Sequence, residues 1–127
     1  MIHKTPKPWG HELLWARADR YAGKVLFIRA GEALSLQYHQ QKDETIYVQS
    51  GTLRLQIGEP GAALAEGKGG PLIERIMEPG ESHHIPALTR HRFSAIEDAT
   101  LFEVSTIELD DVVRLDDRYG RTGSSAP

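Results

Sequence analysis

The chain has 127 residues, a formal net charge of -3 and a pI near 6.0. That length suits one domain with one substantial core, and that charge argues against a nucleic-acid footprint. There is no Cys, which excludes disulfides and thiolate chemistry.

No apolar stretch approaches membrane-span length, and Met1 to Gly10 carries Pro and Trp in place of a secretory apolar segment. The expectation is a cytoplasmic protein with no membrane or nucleic-acid partner. Trp9 and the prolines before it predict an extended arm. Gly23, Gly31, Gly51, Gly58, Gly80 and Pro86 then punctuate runs rich in Val, Ile, Leu, Phe and Thr, the spacing of an all-β sandwich or barrel. Strands are expected near 11–17, 23–29, 33–39, 44–50, 52–57, 72–77, 82–85, 91–96 and 100–107.

In the strand expected at 33–39, alternation puts Ser35, Gln37 and His39 on one face. Leu34, Leu36 and Tyr38 take the other. Residues 58–71 read as a loop. Its Gly67-Lys68-Gly69 lacks the spacing and the following Ser or Thr of a phosphate-binding loop. One helical turn is expected at 110–113. Residues 122–127 are rich in Gly, Ser and Pro and are predicted to be a disordered terminus. No repeat or linker separates a second domain, so 1–121 forms one domain with an N-terminal arm and a charged C-terminal tail.

Two spacing frames carry the chemistry. The first is Gly31-x5-Gln37-x-His39-x4-Glu44-x6-Gly51, and the second is Gly80-x5-Pro86-x4-His91. On a strand Gln37 and His39 point to the same side. Glu44 follows a short turn and faces them from the next strand, and His91 closes the set from a later one. Such nitrogen and oxygen donors suit a borderline divalent ion, zinc first, with manganese, iron, cobalt or nickel as alternatives.

These frames resemble those of the cupin family, whose first frame reads Gly-x5-His-x-His-x3–4-Glu-x6-Gly. Gln37 stands where the first His is usual. In the second frame Leu88 and Ala95 replace the usual Gly and Asn. The Gln-x-His pair, with a Glu and a later His, resembles the zinc set of phosphomannose isomerases. Lys7-Pro8-Trp9-Gly10, Ser35-Leu36-Gln37-Tyr38-His39 and the ending Tyr119-Gly120-Arg121 resemble the cupin half of type II mannose-6-phosphate isomerases. That family often has His where this chain has Gln40 and Gln41. The match runs from about residue 7 to 121.

The resemblance implies a single cupin jelly-roll barrel and Gln37, His39, Glu44 and His91 as metal ligands. It implies aldose–ketose isomerisation of a sugar phosphate, most like mannose 6-phosphate to fructose 6-phosphate. The ion would act as a Lewis acid at the C1 and C2 oxygens while a base moves a proton through an enediol. Of the neighbours His83 and His84, one faces in. His84 is the expected base, because the matching family position often carries a Tyr in the cavity. Arg121 is expected to bind phosphate or stabilise the enediolate; the alternative is a solvated tail of local ion pairs. Lys42, in the turn between ligands, either approaches an anionic substrate or is solvated, and Lys24 shares that ambiguity. Arg90 and Arg92 should face away from the ion.

In the cupin reading Gln37 and His39 enter the barrel. Leu34, Leu36 and Tyr38 then need cover, and a homodimer is expected. Two other functions fit the same residues. One is a non-catalytic sugar-binding or sensory cupin, favoured by Gln40 and Gln41. The other is a metal-dependent oxygenase, against which Gln37 argues.

Overall fold

The structure, a computed structural model, describes residues 2–121; the expectation of disorder at 122–127 lies outside the described residues. In chain order the strands are β1 (His3–Lys7), β2 (Gly10–Arg17), β3 (Ala22–Ile28), β4 (Leu36–Tyr38), β5 (Glu44–Ser50) and β6 (Leu53–Ile57). A 3-10 turn follows at Glu66–Gly69, then β7 (Ile73–Met77), β8 (Ser82–Ile85), β9 (His91–Ala95), β10 (Ala99–Ser105) and β11 (Val113–Asp116). Every pairing is antiparallel, in a six-stranded sheet β1-β2-β3-β10-β5-β8 and a five-stranded sheet β11-β4-β9-β6-β7. This is the expected all-β jelly roll. Among the described residues no helix is long and apolar enough to cross a membrane.

The sheets close on a shared core that includes Leu26, Ile28, Ile46, Leu55, Phe93 and Leu101. The arm belongs to it: β1 pairs with β2, and Trp9 is fully buried. Gly51 makes the tight link between β5 and β6 at φ +82, where a Cβ would lie 2.0 Å from the Asp98 carbonyl oxygen. Inward positions change character along the strands. On β3 they run Lys24, Leu26, Ile28; on β10, Glu103, Leu101, Ala99; on β5, Glu44, Ile46, Val48. One end of the barrel is therefore apolar and the other charged, and the site lies at the charged end.

Three expectations change. The strand at 33–39 shortens to Leu36–Tyr38, preceded by an isolated bridge from Ala33 to Ser94. Alternation fails there, because Leu34 is buried in the core on the same side as Gln37 and His39. Burying that leucine outweighs a regular pleat. Leu36 and Tyr38 are half-buried, so the apolar face that suggested a dimer loses one of its three members. Residues 110–113 form no helical turn. The chain turns at 109–110 and enters β11, which lies beside β4 with Arg114 opposite Gln37.

Candidate metal centre

Strand pairing builds the centre. β4 and β9 meet with Gln37 opposite His91, and Glu44 opens β5. His39, Glu44 and His91 are all buried, and one ligand atom from each lies within 4.8 Å of the others. Glu44 Oε1 is 3.1 Å from His91 Nε2 and 3.5 Å from His39 Nε2.

Ring tautomers follow from the outer contacts. His91 Nδ1 is 2.8 Å from the Thr89 carbonyl oxygen, and His39 Nδ1 meets the Asp111 carbonyl oxygen. A carbonyl only accepts, so each Nδ1 donates its proton. Each neutral ring then turns the Nε2 lone pair toward the centre. Two lone pairs and a carboxylate oxygen converge on one point, and Glu44 Oε1 receives no hydrogen bond there. Gln37 Oε1 is likewise buried without a donor, while its Nε2 donates weakly to the Ser35 carbonyl at 3.5 Å. Orphaned buried acceptors are costly; a divalent cation held by His39, Glu44 and His91, with Gln37 beside them on the cavity wall, would relieve that cost. The residues present fit a metal with nitrogen and oxygen ligands.

A wall of charge surrounds the ligands. Lys42 Nζ bridges Glu44 (3.3 Å) and Glu103 (3.1 Å). Lys24 Nζ lies 2.8 Å from one oxygen of Glu12, and Lys7 Nζ lies 3.1 Å from the other. Burial opposes ionisation of Glu44, but the Lys42 ammonium outweighs it and holds the carboxyl well below its ordinary range. Burial pushes Glu103 up to about 7 against the pull of Lys42, with Glu44 adding to the rise. Lys42 would be lowered by burial, but Glu103 and Glu44 raise it instead. The enclosed space inside this wall is about 10 Å³, room for roughly one water.

Residues 24–106 match the Cupin domain family, a stretch that holds both spacing frames and more than half of the chain. The chain belongs to the cupin family. This cupin is 34% identical over 122 residues to the mannose-1-phosphate guanylyltransferase ManC of Salmonella typhimurium, covering 95% of this chain and 24% of that protein. It is also 34% identical over 116 residues to a mannose-1-phosphate guanylyltransferase of Escherichia coli, covering 91% of this chain and 22% of that one. The chain thus spans about a quarter of the length of these curated relatives. Among solved structures, CapF with the inhibitor 3-isopropenyl-tropolone shares the fold at TM-score 0.75 and 17% identity, covering 91% of this chain and 35% of that chain.

Within the cupin the expected ligands converge, but the expected catalytic residues do not. His84 points outward. Glu44 pairs with Ile85 and Thr45 with His84, so Ile85 takes the inward position and His84 shares the outer face with Thr45. There its Nε2 lies 2.7 Å from Asp43 Oδ1, with the side chain 59% exposed. His83 meets Arg75 at 2.8 Å, away from the ligands. Arg121 is bound by Asp117 through two contacts of 2.9 Å and lies over the Tyr119 ring, off the cavity wall. Lys42 is neither solvated nor free for a substrate, since Glu44 and Glu103 claim it. Arg92 faces away as expected, toward Asp116, and Arg90 donates to the Gly70 carbonyl oxygen.

Glu12, Glu103 and Asp111 escaped the sequence reading, and Lys24, left open there between substrate and solvent, turns inward. Glu12, Lys24 and Glu103 reach the cavity from β2, β3 and β10. Asp111 gathers the backbone N–H groups of Gln40 (2.9 Å), Gln41 (2.7 Å) and Lys42 (2.9 Å), fixing the loop between two ligands. Burial opposes its ionisation, but those three donors outweigh it and lower its pKa. Leu88, at the family's Gly position, adopts φ 58. Its N–H donates to the His39 carbonyl at 2.7 Å, a contact that holds an unfavourable conformation in place.

Proposed function

We propose that this cupin is a metal-dependent aldose–ketose isomerase acting on a sugar phosphate, most like mannose-6-phosphate isomerase. The observation that carries the reading is the buried acceptor set of Gln37, His39, Glu44 and His91, with no hydrogen-bond donor to Gln37 Oε1 or Glu44 Oε1. The mannose-phosphate names of relatives aligned over 91–95% of the chain support the substrate class.

A divalent ion held by these four residues would supply Lewis acidity toward a sugar carbonyl and its neighbouring hydroxyl. The protein supplies the rest. Two carboxyls outside the ligand set line the cavity, Glu12 and Glu103. Two lysines hold Glu12, whereas Lys42 alone holds Glu103 among the close ion pairs. Glu103 is therefore the better placed to carry a proton, and it replaces His84 in that role. Lys42 orients it and offsets the negative charge of Glu44. Buried Leu34, Leu26 and Phe93 exclude water from the ligands.

A sugar-binding module without turnover is the second reading. The small enclosed space and Gln40 and Gln41 favour it. One experiment separates the two. Protein loaded with zinc, manganese, cobalt or nickel is incubated with mannose 6-phosphate in deuterium oxide and followed by NMR. Fructose 6-phosphate is the expected product, with deuterium at C1 or C2 where exchange outpaces transfer, and Glu103→Gln lowers the rate about 100-fold. Absence of turnover with every metal and a panel of hexose and pentose phosphates would leave the binding module.

A further inference from the structure

The inner cavity is sealed by one ion pair. Glu12 and Lys24 line it from inside, and the same two residues line a separate outer cleft of about 180 Å³. Thr5, Arg17, Leu109 and Asp110 complete much of that cleft. Glu12 is 7% exposed and Lys24 4%, so the pair forms the partition between solvent and the ligands.

The partition is built to open at Lys24. Glu12 receives Lys7 on one oxygen and Lys24 on the other. If Lys24 leaves, Lys7 still neutralises Glu12 and no bare carboxylate remains, which avoids the large cost of an unpaired buried charge. The charge balance also favours an anion. Arg17 and Lys24 balance Glu12 and Asp110 in the cleft lining, and Lys7, paired with Glu12 from outside that lining, leaves positive charge in excess. A cation at the ligand set adds to that excess. Thr5 and Asp110 supply hydroxyl and carboxylate partners of the kind sugars use.

We propose that the outer cleft is the entrance and phosphate subsite of this site: Arg17 and Lys24 bind the phosphate of an incoming sugar phosphate, and Lys24 leaves Glu12 to open the way to the ligands. The inference rests on the sugar-phosphate reading above and adds where the phosphate sits. Lys24 is a binding residue here, and Glu12, kept by Lys7, is the post it swings from.

Calorimetric titration tests it on zinc-loaded protein, with inorganic phosphate, mannose 6-phosphate and mannose as the probes. Variants are Arg17→Ala, an exposed position, and Lys24→Met, which leaves Glu12 paired with Lys7. Each is expected to weaken mannose 6-phosphate and inorganic phosphate binding about ten-fold. Mannose affinity and zinc content should match wild type. Phosphate compounds that bind both variants as tightly as wild type would overturn the proposal, as would a wild type that binds none of them. Equal weakening of mannose would do the same. The two readings fail separately. Turnover with an unchanged KM in both variants keeps the isomerase and removes this subsite. Phosphate-dependent binding by the predicted residues with no turnover of any sugar phosphate keeps the subsite and removes the isomerase.

Discussion

At Asp111 one side chain receives three successive backbone N–H groups while its own carbonyl meets His39 Nδ1. It therefore orients one ligand and shapes the loop that leads to another. Outer contacts of this type change metal affinity by about 10- to 100-fold when removed. Asp111→Ala keeps the carbonyl contact to His39 but frees the 40–42 backbone that leads to Glu44, and should weaken zinc binding about ten-fold, the low end of that range, in a chelator competition titration, with the far-ultraviolet circular dichroism unchanged. His91→Ala should leave bound zinc below about a tenth of wild type by elemental analysis. Stoichiometric zinc in a His39→Ala/His91→Ala protein would remove the site assignment. The ligands were legible because their spacing is local to two frames. Asp111 was not, since its partners lie 69 to 71 positions away and a carboxylate in a charged tail looks like any solvated residue. Lys24 and Glu103 lie on strands apolar on both faces, Leu26 and Ile28 against Val25 and Phe27, Leu101 against Phe102 and Val104. Alternation alone does not say which face is inside.

The first three strands are tied by one carboxylate. Glu12 on β2 holds Lys7 from the end of β1 and Lys24 from β3. Burial opposes its ionisation, but the two lysines outweigh that and lower its pKa from the ordinary 4.5. A carboxyl depressed in the folded state stabilises the fold above its unfolded pKa, and that contribution fades as pH falls through the folded value. Glu12→Gln strands two lysines in a largely buried setting and should cost about 3 kcal/mol at pH 7. The gap between wild type and variant should be full at pH 7 and shrink below pH 4.5, read from urea midpoints. A gap independent of pH would assign the stability to packing instead. At this scale the sequence located most strands within two residues of the observed ends, because Gly and Pro mark the links between them. β11 was missed: Val113–Asp116 is short, mixes charged and apolar residues and exists only by pairing with β4. The outward turn of His84 was decided by register. Ile85 and His84 compete for one inward position beside Glu44, and the aliphatic side chain takes the core.

Across the whole molecule, the outer face of the six-stranded sheet is the least resolved in terms of partners. Its central strands present Leu13, Val25, Phe102 and Tyr47 in one cross-strand row, with Gly23, Val104 and Thr45 in the next. Tyr47 and Phe102 stack at 5.9 Å and are each 42% exposed, and Val104 is 55% exposed. A sheet with one face in water ordinarily alternates apolar and polar positions. Here β2, β3, β10 and β5 carry no Lys, Arg, Asp or Glu at these outward positions. The expected homodimer therefore rests on this face and no longer on Leu34, Leu36 and Tyr38. A second copy is the fitting cover because a two-fold axis brings each row against its own image, and rows without charge meet no repulsion. Phe102→Glu places like charges across that axis and should weaken the dimer at least about thirty-fold. Light scattering should then show a dimer for wild type and a monomer for Phe102→Glu, with zinc content equal in both because the face lies opposite the ligands. A wild type that is monomeric at high micromolar concentration would leave this sheet face in water and the site within a single chain.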